Sequence, residues 1–154
     1  MKTRISIFLL VTAVTCLLVG AQASAETRQP AAQITVYKDK SCGCCGHWID
    51  HLRAEGFEVI AKDSTRMAEI KANFGVSRNL QSCHTAVVDG YVIEGHVPAS
   101  DIKRLLREKP DLLGLSAPGM PQKSPGMQPP GLPPKDYDVL SFDHKGRVEL
   151  FRRY

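Results

Sequence analysis

Within SCGCCGHWIDHL, residues 41–52, three cysteines occupy four positions and two histidines follow about one helical turn apart. A fourth cysteine stands far along the chain in Ser82-Cys83-His84-Thr85. Cys42 and Cys45 make the C-x-x-C spacing of a redox dithiol. A thiol at the start of a helix is acidified, because the helix dipole and the free N–H groups favour thiolate. Thiolate serves both disulfide exchange and the binding of soft metals, so the pair alone leaves two chemistries open. Cys44 tilts the choice. A third thiol within reach of both partners invites internal shuffling in an exchange enzyme, whereas it adds a donor to a metal site. As scaffolding the cluster is poor. A Cys44–Cys45 bridge is strained, and a Cys42–Cys45 bridge closes too short a loop to restrain the unfolded chain much.

A helix beginning near Cys44 or Cys45 puts Cys45, Trp48, Ile49 and Leu52 on an apolar stripe. Cys44, His47 and His51 then fall at i, i+3 and i+7 on the stripe beside it. His51 is a ligand only if the cluster is extended or the ring reaches back, and His47 reads as solvent-facing. His84 adjoins Cys83 and is a candidate to support or join a site there. His96 and His144 read as ordinary surface residues. Met120 and Met127 sit in a Pro/Gly-rich run. Thioether sulfur binds Cu(I), so that run, folded over the cysteines as a lid, would add soft donors.

The elements that must position these groups follow from period and punctuation. Residues 33–37 alternate and are β-branched, a first strand. Residues 38–43 form a turn, and Gly56 stops the helix that carries the cysteines. Residues 57–61 read as a second strand, and Asp63 or Ser64 caps a helix running through Met67, Ile70 and Phe74. Residues 85–88 and 91–93 flank Asp89-Gly90, a strong tight-hairpin signal. A third helix carries Ile102, Leu105 and Leu106 and ends before Pro110. The order β-α-β-α-β-β-α predicts an α/β fold of thioredoxin or glutaredoxin type, a mixed sheet with helices on its faces. Its dithiol loop falls between the first strand and first helix. The loop that faces a dithiol in such folds usually carries proline; here Cys83 and His84 stand there instead. That topology converges Cys83 on Cys42, Cys44 and Cys45. Residues 114–135 read as an irregular loop, and residues 137–142 and 148–151 as a closing hairpin.

The N-terminus bears on compartment. Lys2 and Arg4, the apolar run 5–20 and Ala23-Ser24-Ala25 make the pattern of a secretory signal peptide over residues 1–25. The run is too short, and lacks a second charged flank, for a membrane span, so none is expected after cleavage. Residues 26–32 read as a flexible leader and residues 33–154 as one domain. Of the five cysteines Cys16 leaves with the signal, and the formal charge falls from +4 to +2 because Lys2 and Arg4 leave with it. There is no basic block, so nucleic acid is not an expected partner. The compartment these residues imply is one reached by export.

Taken together, VYKDKSCGCCGHWIDHLRAEGFEV (residues 36–59), QSCHTAVVDGYVIEGHVPASDIKRLL (residues 81–106) and the Pro/Gly/Met run resemble the bacterial periplasmic copper-resistance family of CopG type. The resemblance spans nearly all of the chain after the signal. It implies a thioredoxin-like, exported protein in which Cys42, Cys44, Cys45 and Cys83 hold a thiolate-bridged multinuclear copper cluster. The leading expectation is a periplasmic protein binding several Cu(I) ions there, with Cu(I)/Cu(II) interconversion in the same pocket. His51, His84, Met120 and Met127 are further candidate ligands. It also implies a setting of copper efflux and copper oxidase proteins as transient partners. The alternative is a thiol–disulfide oxidoreductase using Cys42 as nucleophile and Cys45 as resolving thiol. A structural Cys₄ zinc site matches poorly, since it ordinarily uses two separated C-x-x-C pairs.

Overall fold

The computed structural model describes residues 31–154; the signal-peptide reading and most of the leader lie outside them. Among the described residues the chain runs β1 (Gln33–Lys38), α1 (Gly43–Ala54), β2 (Glu58–Asp63), α2 (Met67–Asn73), a 3₁₀ turn (Arg78–Leu80), β3 (His84–Val88) and β4 (Tyr91–Gly95). It continues through α3 (Ala99–Glu108), β5 (Gly114–Ala117), β6 (Asp138–Phe142) and β7 (Val148–Arg153). The first seven regular elements keep the expected β-α-β-α-β-β-α order.

The strands form one mixed sheet of order β2-β1-β3-β4-β5-β6-β7. β1 pairs parallel with β2 and antiparallel with β3, setting Val36 opposite Ala86. β3 and β4 form the hairpin expected at Asp89-Gly90, where φ is 47° and 84°. Two successive left-handed residues match the twist of paired strands, and aspartate and glycine tolerate them. In β4 consecutive residues serve opposite faces. Ile93 joins Trp48 and Leu52 of α1, with Ile102 and Leu105 of α3, in the main core. Val92 joins Val76, Leu80 and Phe142 in a smaller one behind the sheet. Helical residues Cys45, Trp48, Ile49 and Leu52 are the buried ones of α1, as their spacing requires. Burying a leucine such as Leu52 stabilises the fold by about 2 kcal/mol.

Two departures matter for the site. The stretch read as irregular from residue 114 begins with a strand: β5 pairs parallel with β4 and antiparallel with β6. Four residues bounded by glycine and proline carry too little pattern to announce themselves. In α2 the buried residue is Lys71, because a buried carboxylate, Glu94, lies 2.5 Å from its ammonium. No helix among the described residues is long and apolar enough to cross a membrane.

Candidate metal centre

Cys42 is the N-cap of α1, with extended backbone angles. The turn before it is tied by Asp39, whose Oδ1 accepts from the Ser41 amide at 2.8 Å and from its hydroxyl at 2.5 Å. Those bonds hold the Asp39 carboxyl below its usual range. Cys42 and Cys45 are joined as a disulfide, with Cα atoms 5.4 Å apart. Cys44 and Cys83 are free, and Cys44 Sγ lies 3.6 Å from Cys42 Sγ. Cys83 enters from the residue before β3. The sulfurs of Cys42, Cys44, Cys45 and Cys83 all lie within 4.8 Å of one another. The convergence expected of Cys83 is therefore the observed arrangement.

Cys83 is the most heavily partnered of the four. His96 Nε2 stands 3.1 Å and His84 Nδ1 3.3 Å from its sulfur. His96 Nδ1 lies 2.7 Å from the Pro125 carbonyl oxygen, which can only accept, so Nδ1 carries the proton. Nε2 is then a lone-pair nitrogen aimed at sulfur. Burial, then the neighbouring Cys44, pushes the Cys83 thiol up to about 12. A metal binding here must displace that proton. His84 is wholly buried, its ring tilted against that of Trp48 with centroids 4.3 Å apart and edge-on to His96 at 5.0 Å. Burial, with His96 and Lys71 nearby, drives its pKa well below the usual histidine value.

Behind Cys83 lies a buried charged network. Glu94, with no exposed surface, accepts from the Ser82 amide at 2.6 Å and from Thr85 Oγ1 at 2.7 Å, and pairs with Lys71. It fixes the backbone from which Cys83 projects.

The Pro/Gly segment is docked over this centre. The Gly119 amide donates to the Gln81 carbonyl at 3.0 Å, and Ser82 Oγ donates to the Gly119 carbonyl. Gly126, at φ +85°, passes so close to α1 that a Cβ there would sit 2.6 Å from Trp48 N and 3.0 Å from Cys44 O. Met120 follows Gly119 and is 55% exposed. Met127 lines a groove of about 970 Å³ between α1 and residues 125–134, together with His47 and His51. His51 Nε2 accepts from the Ala99 amide at 3.2 Å, so it caps α3, whose own N-cap is Pro98 and has no side-chain acceptor. The structure thus gathers the four cysteines with His84, and sets His51 and Met127 along the groove.

One further residue belongs to the centre. His96, expected from the sequence at the surface, has no exposed surface and faces Cys83. The signal was present in the Asp89-Gly90 hairpin. A register pairing Val88 with Tyr91 and Thr85 with Glu94, continued by two residues, sets Cys83 opposite His96.

Among known proteins, a family model described as "Protein of unknown function, DUF411" matches residues 80–127. Two solved structures of a copper resistance protein CopG, Form 1 and Form 2, resemble the chain with 42% sequence identity and a TM-score of 0.74. Form 2 aligns over 80% of this chain and 98% of its own, Form 1 over 82% and 98%. No curated protein matches the chain.

Proposed function

The chain belongs to the CopG copper-resistance family, and from that premise we propose that it is an exported copper-binding protein contributing to copper resistance. Cys42, Cys44, Cys45 and Cys83 hold several Cu(I) ions through bridging thiolates. The observation that carries this reading is the approach of all four sulfurs to within 4.8 Å. Soft thiolates select Cu(I). Four of them bring about four negative charges, which several monovalent ions neutralise better than one. The full donor set needs the Cys42–Cys45 disulfide reduced to two thiols by an external dithiol, which supplies two electrons and two protons and is itself oxidised to a disulfide. Copper held by thiolate beside imidazole has access to both Cu(I) and Cu(II), so interconversion in the same pocket belongs to the reading. Export rests on residues 1–25, and the compartment is the periplasm. Transient contact with copper efflux or copper oxidase proteins would supply and remove the metal.

The deciding experiment is an anaerobic Cu(I) titration of the reduced chain lacking residues 1–25, read by elemental analysis against a competing chelator. Several ions per chain are expected, falling sharply in Cys83→Ser. Single-ion binding that survives the substitution would sink the four-thiol reading.

The disulfide at the start of α1 favours one competing reading, a thiol–disulfide oxidoreductase acting through Cys42 and Cys45. Cys44→Ser separates the two. It removes a copper ligand and leaves the exchange pair intact, so exchange activity that persists while copper stoichiometry stays at the wild-type value would favour the enzyme.

A further inference from the structure

Cys83 takes part in two groupings. One is the four-sulfur cluster; the other is Cys83, His84 and His96, whose three donor atoms also lie within 4.8 Å of one another. The second grouping contains neither member of the Cys42–Cys45 disulfide.

We infer that Cys83, His84 and His96 form a mixed thiolate–imidazole position for one metal ion, joined to the cysteine cluster through the shared sulfur and open to metal while Cys42 and Cys45 are disulfide-bonded. The inference rests on the copper reading for the identity of the ion, copper, but its geometry stands alone. His96 presents a lone pair at Nε2, because the Pro125 carbonyl claims the proton on Nδ1 at 2.7 Å. A backbone carbonyl on the far nitrogen is the usual way a ligating histidine is oriented and its tautomer fixed. His84 aims Nδ1 at the same sulfur, 3.3 Å away, from a ring with no exposed surface. Its Nε2 is buried with no partner among the described residues. An imidazole is a costly filler for such a place, since an apolar ring packs on Trp48 without stranding a polar atom. Ligation accounts for two buried rings turned toward one thiol.

The donor set also differs in kind from the cluster. Bridging thiolates suit Cu(I), whereas imidazole nitrogen accommodates Cu(II) and Zn(II) as well. Oxidation of the dithiol strips two donors from the cluster and none from this position. The chain therefore keeps hold of one ion across both states of the dithiol, and the free Cys44 thiol stands beside Cys83 for a second ion to rejoin when the pair is reduced.

The test uses the chain lacking residues 1–25, with its disulfide intact and Cys44 and Cys83 as free thiols. Zn(II) serves as probe, because it is diamagnetic and does not reduce a disulfide. Anaerobic calorimetry is expected to give one Zn(II) per chain, and ¹⁵N spectra of the histidines to show Nδ1 of His84 and Nε2 of His96 shifting as bound nitrogens. His96→Ala should weaken Zn(II) at least roughly tenfold, the low end of what even indirect supports of a metal site cost. If that variant does not fold, the wild-type nitrogen spectra decide alone. No Zn(II) uptake by the disulfide form, or uptake with both nitrogens unmoved, overturns the inference. Either result leaves the four-thiol reading standing on the Cu(I) count of the reduced chain, and failure of that count leaves the Zn(II) result intact.

Discussion

Cys83 draws two imidazoles onto one sulfur, and the backbone beneath it is fixed by a buried ion pair rather than by apolar packing. Lys71 is 5% exposed and Glu94 not at all, so neither charge is solvated. Burial pushes the Glu94 carboxyl up, against the pull of Lys71 and the bonds from Ser82 and Thr85. Breaking such a pair costs more than removing it whole. Glu94→Gln is expected to destabilise the chain by about 3 kcal/mol in urea, by stranding the Lys71 ammonium. Adding Lys71→Met should recover most of that loss. A Glu94→Gln chain as stable as wild type would show that the network carries little. The histidines set a pH dependence. Burial lowers the pKa of His51, His84 and His96 alike. Their unfolded forms take up protons near the ordinary histidine value of 6.5 while the folded forms still resist, so their contribution is full above that pH and is lost as pH falls below it. Glu94 and Asp101, raised by burial, bind protons more readily when folded and oppose this at lower pH. A difference measurement isolates the histidine effect. His51→Gln keeps an acceptor for the Ala99 amide but takes up no proton, so its stability should fall less than wild type between pH 7.5 and 5.5, approximate bounds for histidine titration. Equal slopes in urea melts would count against it. The cysteines of the site were legible in the sequence because three stand in one tetrapeptide. His96, Lys71 and Glu94 were not, since a lone histidine, a lysine and a glutamate read as surface until a register brings them together.

Elements announce themselves in proportion to how much of their pattern is periodic. The stripe Cys45, Trp48, Ile49 and Leu52 gave α1 its buried face, and Asp89-Gly90 located the β3–β4 hairpin. β5 was hidden because its pairing is a tertiary matter: Leu115 and Ala117 enter the main core only once β4 and β6 flank them. The Pro/Gly segment after β5 has no period at all, yet it is built to a close fit. The ring of Trp48 bonds the Val97 carbonyl at 2.9 Å from inside the core, while Gly126 presses on the Trp48 backbone from outside. Gly126→Ala must push the segment off α1 as well as strain a left-handed residue, so a loss of roughly 2–3 kcal/mol is expected, at the upper end of backbone strain alone. Gly131 has the same φ of +85°, but a Cβ added there would meet nothing within 4 Å, so Gly131→Ala should cost only about 1 kcal/mol. Thermal melts of the two variants compare contact with strain directly. The His96 Nδ1 resonance reports whether Pro125 has moved, and an unshifted resonance in Gly126→Ala would mean that the segment is not seated by that glycine.

Across the whole molecule, the C-terminal hairpin is fastened back to α3 and makes the sheet one body. Asp101, without exposed surface, accepts from the Tyr154 hydroxyl at 2.9 Å and pairs with Arg152 at 3.1 Å, and Tyr154 stacks on Tyr137 at 5.2 Å. Val139 of β6 lies in the same core as Ile34 and Ile102. With apolar burial continuous from β1 to β6, the Cys42–Cys45 bridge is not what holds the fold. It closes a loop of sequence separation 3, for which the chain-entropy relation gives only about 2 kcal/mol. Reduction should therefore lower the melting temperature modestly and leave near-UV circular dichroism unchanged. Metal works in the other direction, because an ion that binds only the folded chain adds RT ln(1 + [L]/Kd) to its stability, about 4 kcal/mol at a thousandfold excess over Kd. On the proposed function, the reduced chain loaded with Cu(I) under anaerobic conditions melts roughly 10 °C or more above the reduced apo chain, and above the disulfide form as well. A Cu(I) chelator should return it to the apo value. If loading leaves the melting temperature where reduction put it, the cysteines do not form a folded-state copper site, and the dithiol rather than the cluster is the functional unit.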